Sequence, residues 1–190
     1  GAATSRNIAI GMSRGEYIAI QDADDLCDPT RIEKQLAKAL KNPGKRVVGC
    51  QVRRVYRNRE CIVKVPEHHE EITKGFMRLL NRTTIVAGTI LAPAKLMCEF
   101  PYRSRFSEME DWDLLLCMDE SGKVEFYNIQ EPLYTYFIRT KGSLFRSNFL
   151  NQNIYLRHCQ MMRRRGLPEF DTAEEFLAHL DRNLFERLKW

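Results

Sequence analysis

The apolar and polar positions of this chain switch repeatedly between a helical and a strand period, and the switches mark its elements. Ser5 to Ser13 reads as a short helix closed by a turn at Arg14-Gly15. The unbroken run Tyr17-Ile18-Ala19-Ile20 then predicts a buried strand reaching Gln21. Asp28-Pro29 opens a second helix, with an N-cap Asp and Pro at the first position. Its expected buried face carries Ile32, Leu36, Ala39 and Leu40, and Asn42-Pro43-Gly44 stops it.

Val47 to Tyr56 reads as a strand with Cys61 to Val65 as its hairpin partner. A helix over Glu70 to Leu80 precedes a strand at Thr84 to Leu91, and a short helix follows near Lys95 to Cys98. Glu108 to Glu120 predicts a further helix, ahead of strands at Val124 to Ile129 and Leu133 to Ile138. From Asn148 the pattern is wholly helical, in two segments split at Gly166-Leu167-Pro168, the second opened by a capping box at Asp171-Thr172-Ala173-Glu174. Alternating strands and helices predict an α/β fold with a mixed, mostly parallel sheet flanked by helices, plus a helical C-terminal tail.

Composition narrows the class without naming a function. The 190 residues are 44% hydrophobic and 29% charged, a globular profile large enough for one real core. No apolar run approaches the roughly 20 residues of a membrane span. No charged start followed by an apolar core opens the chain, so no signal peptide is expected. The net charge of +5 suits an anionic ligand or an ordinary basic surface, and no nucleic-acid-binding signature accompanies it. Cys27, Cys50, Cys61, Cys98, Cys117 and Cys159 form no CxxC pair, which predicts reduced thiols in a cytoplasmic protein. The Asn81-Arg82-Thr83 sequon would matter only in a secretory lumen.

Candidate chemistry begins where the first strand ends, at Asp22, Asp24 and Asp25. Buried charge without a partner is expensive, so such a cluster needs solvent, a cation or hydrogen-bond donors. In open α/β sheets, ligands bind at the carboxyl ends of strands. In an extended segment Asp22 and Asp24 point the same way, and oxygen ligands so placed suit Mg²⁺ or Mn²⁺ completed by substrate phosphates. A solvated acidic loop is the structural alternative, with Asp28 as a cap and Asp25 as a turn residue. An EF-hand loop fails because Leu26, Cys27 and Pro29 fall where ligands and the turn glycine belong. An aspartyl-phosphatase arrangement, with Asp22 as nucleophile, stays open.

A second acidic group, Glu108, Glu110, Asp111 and Asp113, sits at a helix start. Ser107-x-x-Glu110 fits a capping box, which accounts for Glu110 structurally. Asp111 is not needed for the cap. At the mouth of a helix whose Leu114, Leu115 and Met118 turn inward, its carboxylate is placed to act as a general base.

Three segments in order resemble family 2 glycosyltransferases of the GT-A fold: "TSRNIAIGMSRGEYIAIQDADDLCDPTRIEKQ", "VAGTILAPAKLMCEFPYRSRFSEMEDWDLLLCM" and "YNIQEPLYTYFIRTKGSL". The likeness covers residues 1–145, a partial GT-A domain, and leaves residues 146–190 as a helical C-terminal extension. It implies that Asp22 and Asp24 are the DxD element holding the divalent cation, Mn²⁺ or Mg²⁺, and the donor's diphosphate and ribose. It implies that Arg6 and Asn7 support the donor site. Glu110 and Asp111 match the family's "ED" pair, with Asp111 as base for the acceptor hydroxyl. Gly88 and Thr89 match the segment near the acceptor, and Trp112 could stack on a sugar ring or be core. The implied activity is inverting transfer from a nucleotide-diphosphate sugar to a hydroxyl on a saccharide or lipid-linked glycan. A non-catalytic saccharide- or protein-binding remnant of the same fold is the alternative.

Departures from the pattern carry their own expectations. The family's first strands, which hold the nucleoside base, would precede Gly1, so the chain is expected to be N-terminally truncated. Phe137 and Arg139 stand where the family often has Arg and His; Arg139 is a candidate for the diphosphate or an exposed strand arginine. His68-His69, His158 and His179 show no ligand spacing. Arg163-Arg164-Arg165 suits a helix C-terminus or a peripheral contact with anionic lipid at the inner face of the membrane. Phe176, Leu177, Leu180, Leu184 and Leu188 form a helix face expected to pack on the parent domain. Oligomeric state is left open.

Overall fold

The structure is a computed structural model and describes residues 1–57, 59–77, 84–138 and 149–187. Arg139, Asn81-Arg82-Thr83, Leu188 and the predicted helix end at Leu80 lie outside the described residues, as does the Leu184 side chain. Helix α1 (Ala2–Met12) leads into strand β1 (Tyr17–Ala19), the short β2 (Leu26–Cys27) and α2 (Arg31–Ala39). The hairpin β3 (Arg46–Tyr56) and β4 (Arg59–Val63) precedes α3 (His69–Met77). Then come β5 (Leu91–Pro93), α4 (Ala94–Glu99), α5 (Glu110–Glu120), β6 (Glu125–Phe137), α6 (Phe149–Arg164) and α7 (Ala173–Arg187).

The sheet runs β1-β5-β3-β6-β2, with β4 added to β3. It is mixed, as expected, but the parallel share is confined to β3 and β6; every other pairing among the described residues is antiparallel. The reason is β5. It inserts between β1 and β3 and runs against both, so those two strands share a direction without touching.

Two stretches change character. Thr84 to Leu91, predicted as a strand, contains a 3₁₀ turn at Ala87–Thr89, because Thr89 Oγ1 donates to Val86 O at 2.7 Å and its own N–H bonds the same carbonyl at 2.9 Å. The two strands predicted either side of Gln130 are one strand, bent where the register to β3 shifts between Cys50 and Val52. Pro132 sits in that shift, where a residue lacking an N–H is tolerated.

One core cluster joins Val47, Phe76, Leu115 and Phe126 to Tyr155, Leu156, Cys159 and Phe176 of the tail. Helices α6 and α7 therefore share the core of the residues before them; Phe176 and Leu177 of the expected α7 face pack there, whereas Leu180 is exposed. Asp113, 1% exposed, anchors them: Arg103 clamps it through Nε at 2.6 Å and through Nη2, and Arg163 Nη1 reaches it at 3.4 Å. Glu169 takes Arg103, Arg105 and Arg163 at 2.8, 3.0 and 3.2 Å. Arg163 and Arg164 also pair with Glu120, so two of the three arginines at this helix C-terminus have protein partners. Among the described residues no helix is long and apolar enough to cross a membrane.

The caps expected for α7 and α2 both move toward their helices, by one residue and by two. Thr172, not Asp171, caps α7, accepting from Glu175 N at 3.1 Å. Asp28 binds Thr30 N and Oγ1 at 2.8 and 2.7 Å, and α2 itself begins at Arg31.

Candidate active site

Helix α1 aims Arg6 between the two acidic groups. Arg6 Nη1 donates to Glu110 Oε1 at 2.6 Å and Nη2 reaches Asp22 Oδ1 at 3.4 Å. Burial opposes the Arg6 charge, and the flanking Tyr102, Glu110 and Asp22 reverse that effect and raise its pKa. Asp22 and Glu110, from distant parts of the chain, are thus joined through one guanidinium. A cavity of about 250 Å³ opens beside them, lined by Arg6, Asp22, Gly88, Asp111, Trp112 and one face of the β3–β4–β6 sheet.

Asp111 reaches that cavity through an unusual helix start. Met109, the N-cap residue of α5, has φ 72° and no side-chain cap bond. Left-handed backbone at a non-glycine residue stores about 1 kcal/mol. The Ser107–Glu110 capping box does not form; Glu110 turns to Arg6 instead. Asp111 Oδ1 accepts from Trp112 N at 2.8 Å. Burial and then the neighbouring Glu110 carboxylate push Asp111 up to about 6, against the opposing pull of Trp112 N–H and Arg6.

The first acidic group divides. Asp25 N bonds Asp22 O at 3.3 Å, so the segment turns and is not extended. Asp22 lines the cavity, while Asp24 lines a groove with Leu26, Arg57 and Phe137. The two carboxylates do not face the same way. Asp25 is a buried hydrogen-bond acceptor: it takes Tyr134 OH at 2.8 Å and Phe137 N at 3.1 Å, and burial raises its pKa. Among the described residues no three His, Cys, Asp or Glu side chains converge as a metal cage. The donor chemistry nevertheless fits Mg²⁺ or Mn²⁺, which take one or two carboxylates and complete their shell with water and substrate phosphate.

The remaining candidates separate into lining and support. Gly88 abuts Asp22: a Cβ there would meet Tyr134 OH at 2.5 Å and Asp22 Oδ2 at 2.9 Å. Gly88→Ala is expected to displace Asp22, destabilising the fold by about 1–3 kcal/mol, as urea denaturation would read. Thr89 is fully buried, bonding Val86 O and accepting Gln35 Nε2 on its carbonyl at 2.7 Å; it holds the turn rather than facing the cavity. Asn7 is a two-point clamp on Tyr102, donating to its O at 2.7 Å and accepting its N–H at 2.9 Å, so its amide positions the loop before α5. Trp112 lines the cavity and meets Phe76 edge-on at 6.3 Å. His69 stacks on Phe126 and His158 on Phe176, both as packing residues.

Two supporting residues escaped the sequence reading. The buried face of α2 is Arg31, Gln35 and Ala39, while Ile32 and Leu40 are exposed. Arg31 donates to Ile20 O at 2.6 Å, Gln21 Oε1 at 2.7 Å and Gln35 Oε1 at 3.0 Å, with its guanidinium 5.1 Å from the Tyr134 ring. Tyr134 in turn accepts Asp22 N at 3.2 Å. Together they fix the backbone that presents Asp22. The i, i+4 spacing of Arg31 and Gln35 was the available signal.

Residues 1–100, just over half the chain, match the model of glycosyl transferase family 2. The chain belongs to that family. This family 2 glycosyltransferase chain is 37% identical over 140 residues to EpsE of Bacillus subtilis, named as a glycosyltransferase, covering 70% of this chain and 47% of that protein. It is 28% identical over 159 residues to the glycosyltransferase MJ1057 of Methanocaldococcus jannaschii, covering 82% and 53%. It thus spans about half the length of these relatives. Its fold is that of S. aureus TarS, with a TM-score of 0.57 at 14% identity over 85% of this chain and 27% of the other. Glucosyl-3-phosphoglycerate synthase from Mycobacterium tuberculosis gives 0.52 at 14% identity, covering 89% and 56%.

Proposed function

We propose that this chain carries the acid–base and diphosphate-side machinery of an inverting glycosyltransferase. It would use a nucleotide-diphosphate sugar as donor and a saccharide or lipid-linked hydroxyl as acceptor. The observation that carries the reading is the Arg6 bridge, which sets Glu110 and Asp22 around the cavity that Asp111 lines. Asp111 takes the proton of the acceptor hydroxyl, and the oxygen attacks the anomeric carbon from the face opposite the leaving diphosphate. The bond from that carbon to the diphosphate oxygen breaks, and the sugar's configuration inverts. Asp22, which lines the cavity, would hold a divalent cation supplying charge stabilisation for the departing diphosphate, with Asp24, in the adjoining groove, as its second candidate ligand. Glu110 keeps Arg6 beside Asp22, and Trp112 offers a ring for the sugar. The six unpaired cysteines support a reducing, cytoplasmic setting.

Titration of UDP, GDP, ADP and dTDP with and without Mn²⁺ tests the donor half. One nucleotide is expected to bind in a cation-dependent way, and EDTA to remove that binding. Asp22→Asn, inside the cavity, should weaken it by about 100-fold, and by more than Asp24→Asn. Equal binding with and without the cation, or in the Asp22→Asn variant, would remove the DxD assignment. Nucleotide binding without transfer in the full-length protein would favour the non-catalytic alternative.

A further inference from the structure

Five charged side chains line the catalytic cavity: Arg6, Asp22, Asp25, Arg54 and Asp111. Four of them are engaged, Arg6 with Glu110 and Asp22, Asp25 with Tyr134 and Phe137, and Asp111 with Trp112. Among the described residues, no hydrogen bond, ion pair or ring contact engages the Arg54 guanidinium.

Register fixes where that guanidinium stands. Val52 opposes Val63 of β4 and Tyr134 of β6, and Arg54 opposes Cys61 and Tyr136. Directly opposed residues share a sheet face, and residues two apart on a strand lie roughly 7 Å apart along it. Arg54 and Tyr136 therefore extend the cavity one step beyond Tyr134, the residue that holds Asp22. The strand then runs into a cationic hairpin. From Arg46 to Val63 there are five arginines and a single acid, Glu60, which Arg53 takes at 2.9 Å. Arg57 and Arg59 at the tip make no ion pair among the described residues.

A guanidinium presents a planar fork of N–H donors that matches a carboxylate or phosphate, and neutral sugar hydroxyls have no use for its net charge. Within the glycosyl-transfer reading given above, the diphosphate is assigned to the Asp22 end and the acceptor to Asp111. We propose that Arg54 recognises an anionic group, a phosphate or a carboxylate, on the acceptor. The receiving substrate is then an acidic saccharide or a phosphorylated glycan, drawn in along the basic hairpin. The donor's diphosphate is the other source of the same chemistry, and the test separates the two.

Calorimetric titration at low ionic strength compares the wild-type full chain with Arg54→Gln. The acceptor probes are glucose, glucose 6-phosphate and glucuronic acid, and the donor probe is UDP with Mn²⁺ (or whichever nucleoside diphosphate the wild type binds). The expected result is that an acidic sugar binds the wild type about tenfold or more tightly than glucose. Arg54→Gln should erase that preference and leave nucleotide affinity unchanged. Arg54 is exposed, and an unaltered melting curve would show that the variant folds. Equal binding of the three sugars by the wild type overturns the proposal. Loss of nucleotide affinity in Arg54→Gln also overturns it, by moving the guanidinium to the diphosphate. Failure of every nucleoside diphosphate to bind the wild type sinks the glycosyl-transfer reading instead, while the sugar comparison still stands or falls by itself.

Discussion

Asp111→Asn is expected to reduce transfer by about 10²–10⁴-fold and, in the same protein, to raise the melting temperature. Both effects come from one cause. Burial and the adjacent Glu110 hold the Asp111 carboxyl at about 6, above its ordinary 3.8. A base with that affinity for protons is ionised at pH 7 and still able to take one from a hydroxyl. The same shift penalises the fold. Between 3.8 and about 6 the native state binds the proton more tightly than the unfolded chain, so stability falls as pH rises through that window. Above it the penalty is full, on the order of 3 kcal/mol. Asn removes it but forfeits an anion at the α5 N-terminus, worth up to about 1 kcal/mol. The net gain of about 2 kcal/mol corresponds to roughly 4–8 °C in a chain of this size. The pH profile of kcat/KM should show an acid limb near 6, with activity falling tenfold per pH unit below it. Glu110→Gln should shift that limb downward, because it removes the like charge. Unchanged turnover in Asp111→Asn would transfer the role of base elsewhere, whatever happened to the melting temperature.

The parts of this arrangement visible in the sequence were those where physical chemistry made a residue anomalous. An apolar run ending in three carboxylates cannot be ordinary core, so Asp22 stood out before any fold was known. The hairpin β3–β4 was legible because its period and turn are local. The sheet order was not, because the insertion of β5 between β1 and β3 is a pairing across more than 40 residues that no local pattern encodes. The inward face of α2 was misassigned for a related reason. Arg31 looks like a surface residue until its partners Ile20 O, Gln21 and Tyr134 are brought to it from three other segments. Asn7 and Thr89 do not line the cavity; their side chains bond the backbone of Tyr102 and Val86, contacts that no local pattern encodes. Glu110 satisfied a capping pattern on paper. The left-handed Met109 breaks the cap and frees its carboxylate for Arg6.

Asp113 lies two residues beyond Asp111 on the same helix, and the same chemical change there should have the opposite sign. Asp113→Asn is expected to destabilise the protein by about 3–5 kcal/mol, read as a shift in urea midpoint with an unchanged slope. The two carboxylates both lose water on folding; what differs is their company. Asp111 has the like-charged Glu110 beside it, so its charge is unwelcome to the fold, and in the proposed reaction that charge is the base. Asp113 is gripped by Arg103 and reached by Arg163; among the described residues the further acids are Glu169 for both and Glu120 for Arg163. Neutralising it leaves two half-buried guanidinium groups short of an anion between α5 and the tail helices. Stripping one partner from a buried pair costs far more than removing both. The double variant Asp113→Asn, Arg103→Met should therefore recover part of the loss, and a double-mutant cycle would measure the coupling. A loss below about 1 kcal/mol in the single variant would mean that the tail is held by Tyr155, Leu156 and Phe176 alone. Transfer itself should survive Asp113→Asn at temperatures where the fold persists, since Asp113 faces away from the cavity. The helix thus separates its two acids by direction, one toward the cavity and one toward the arginines that tie it to the tail.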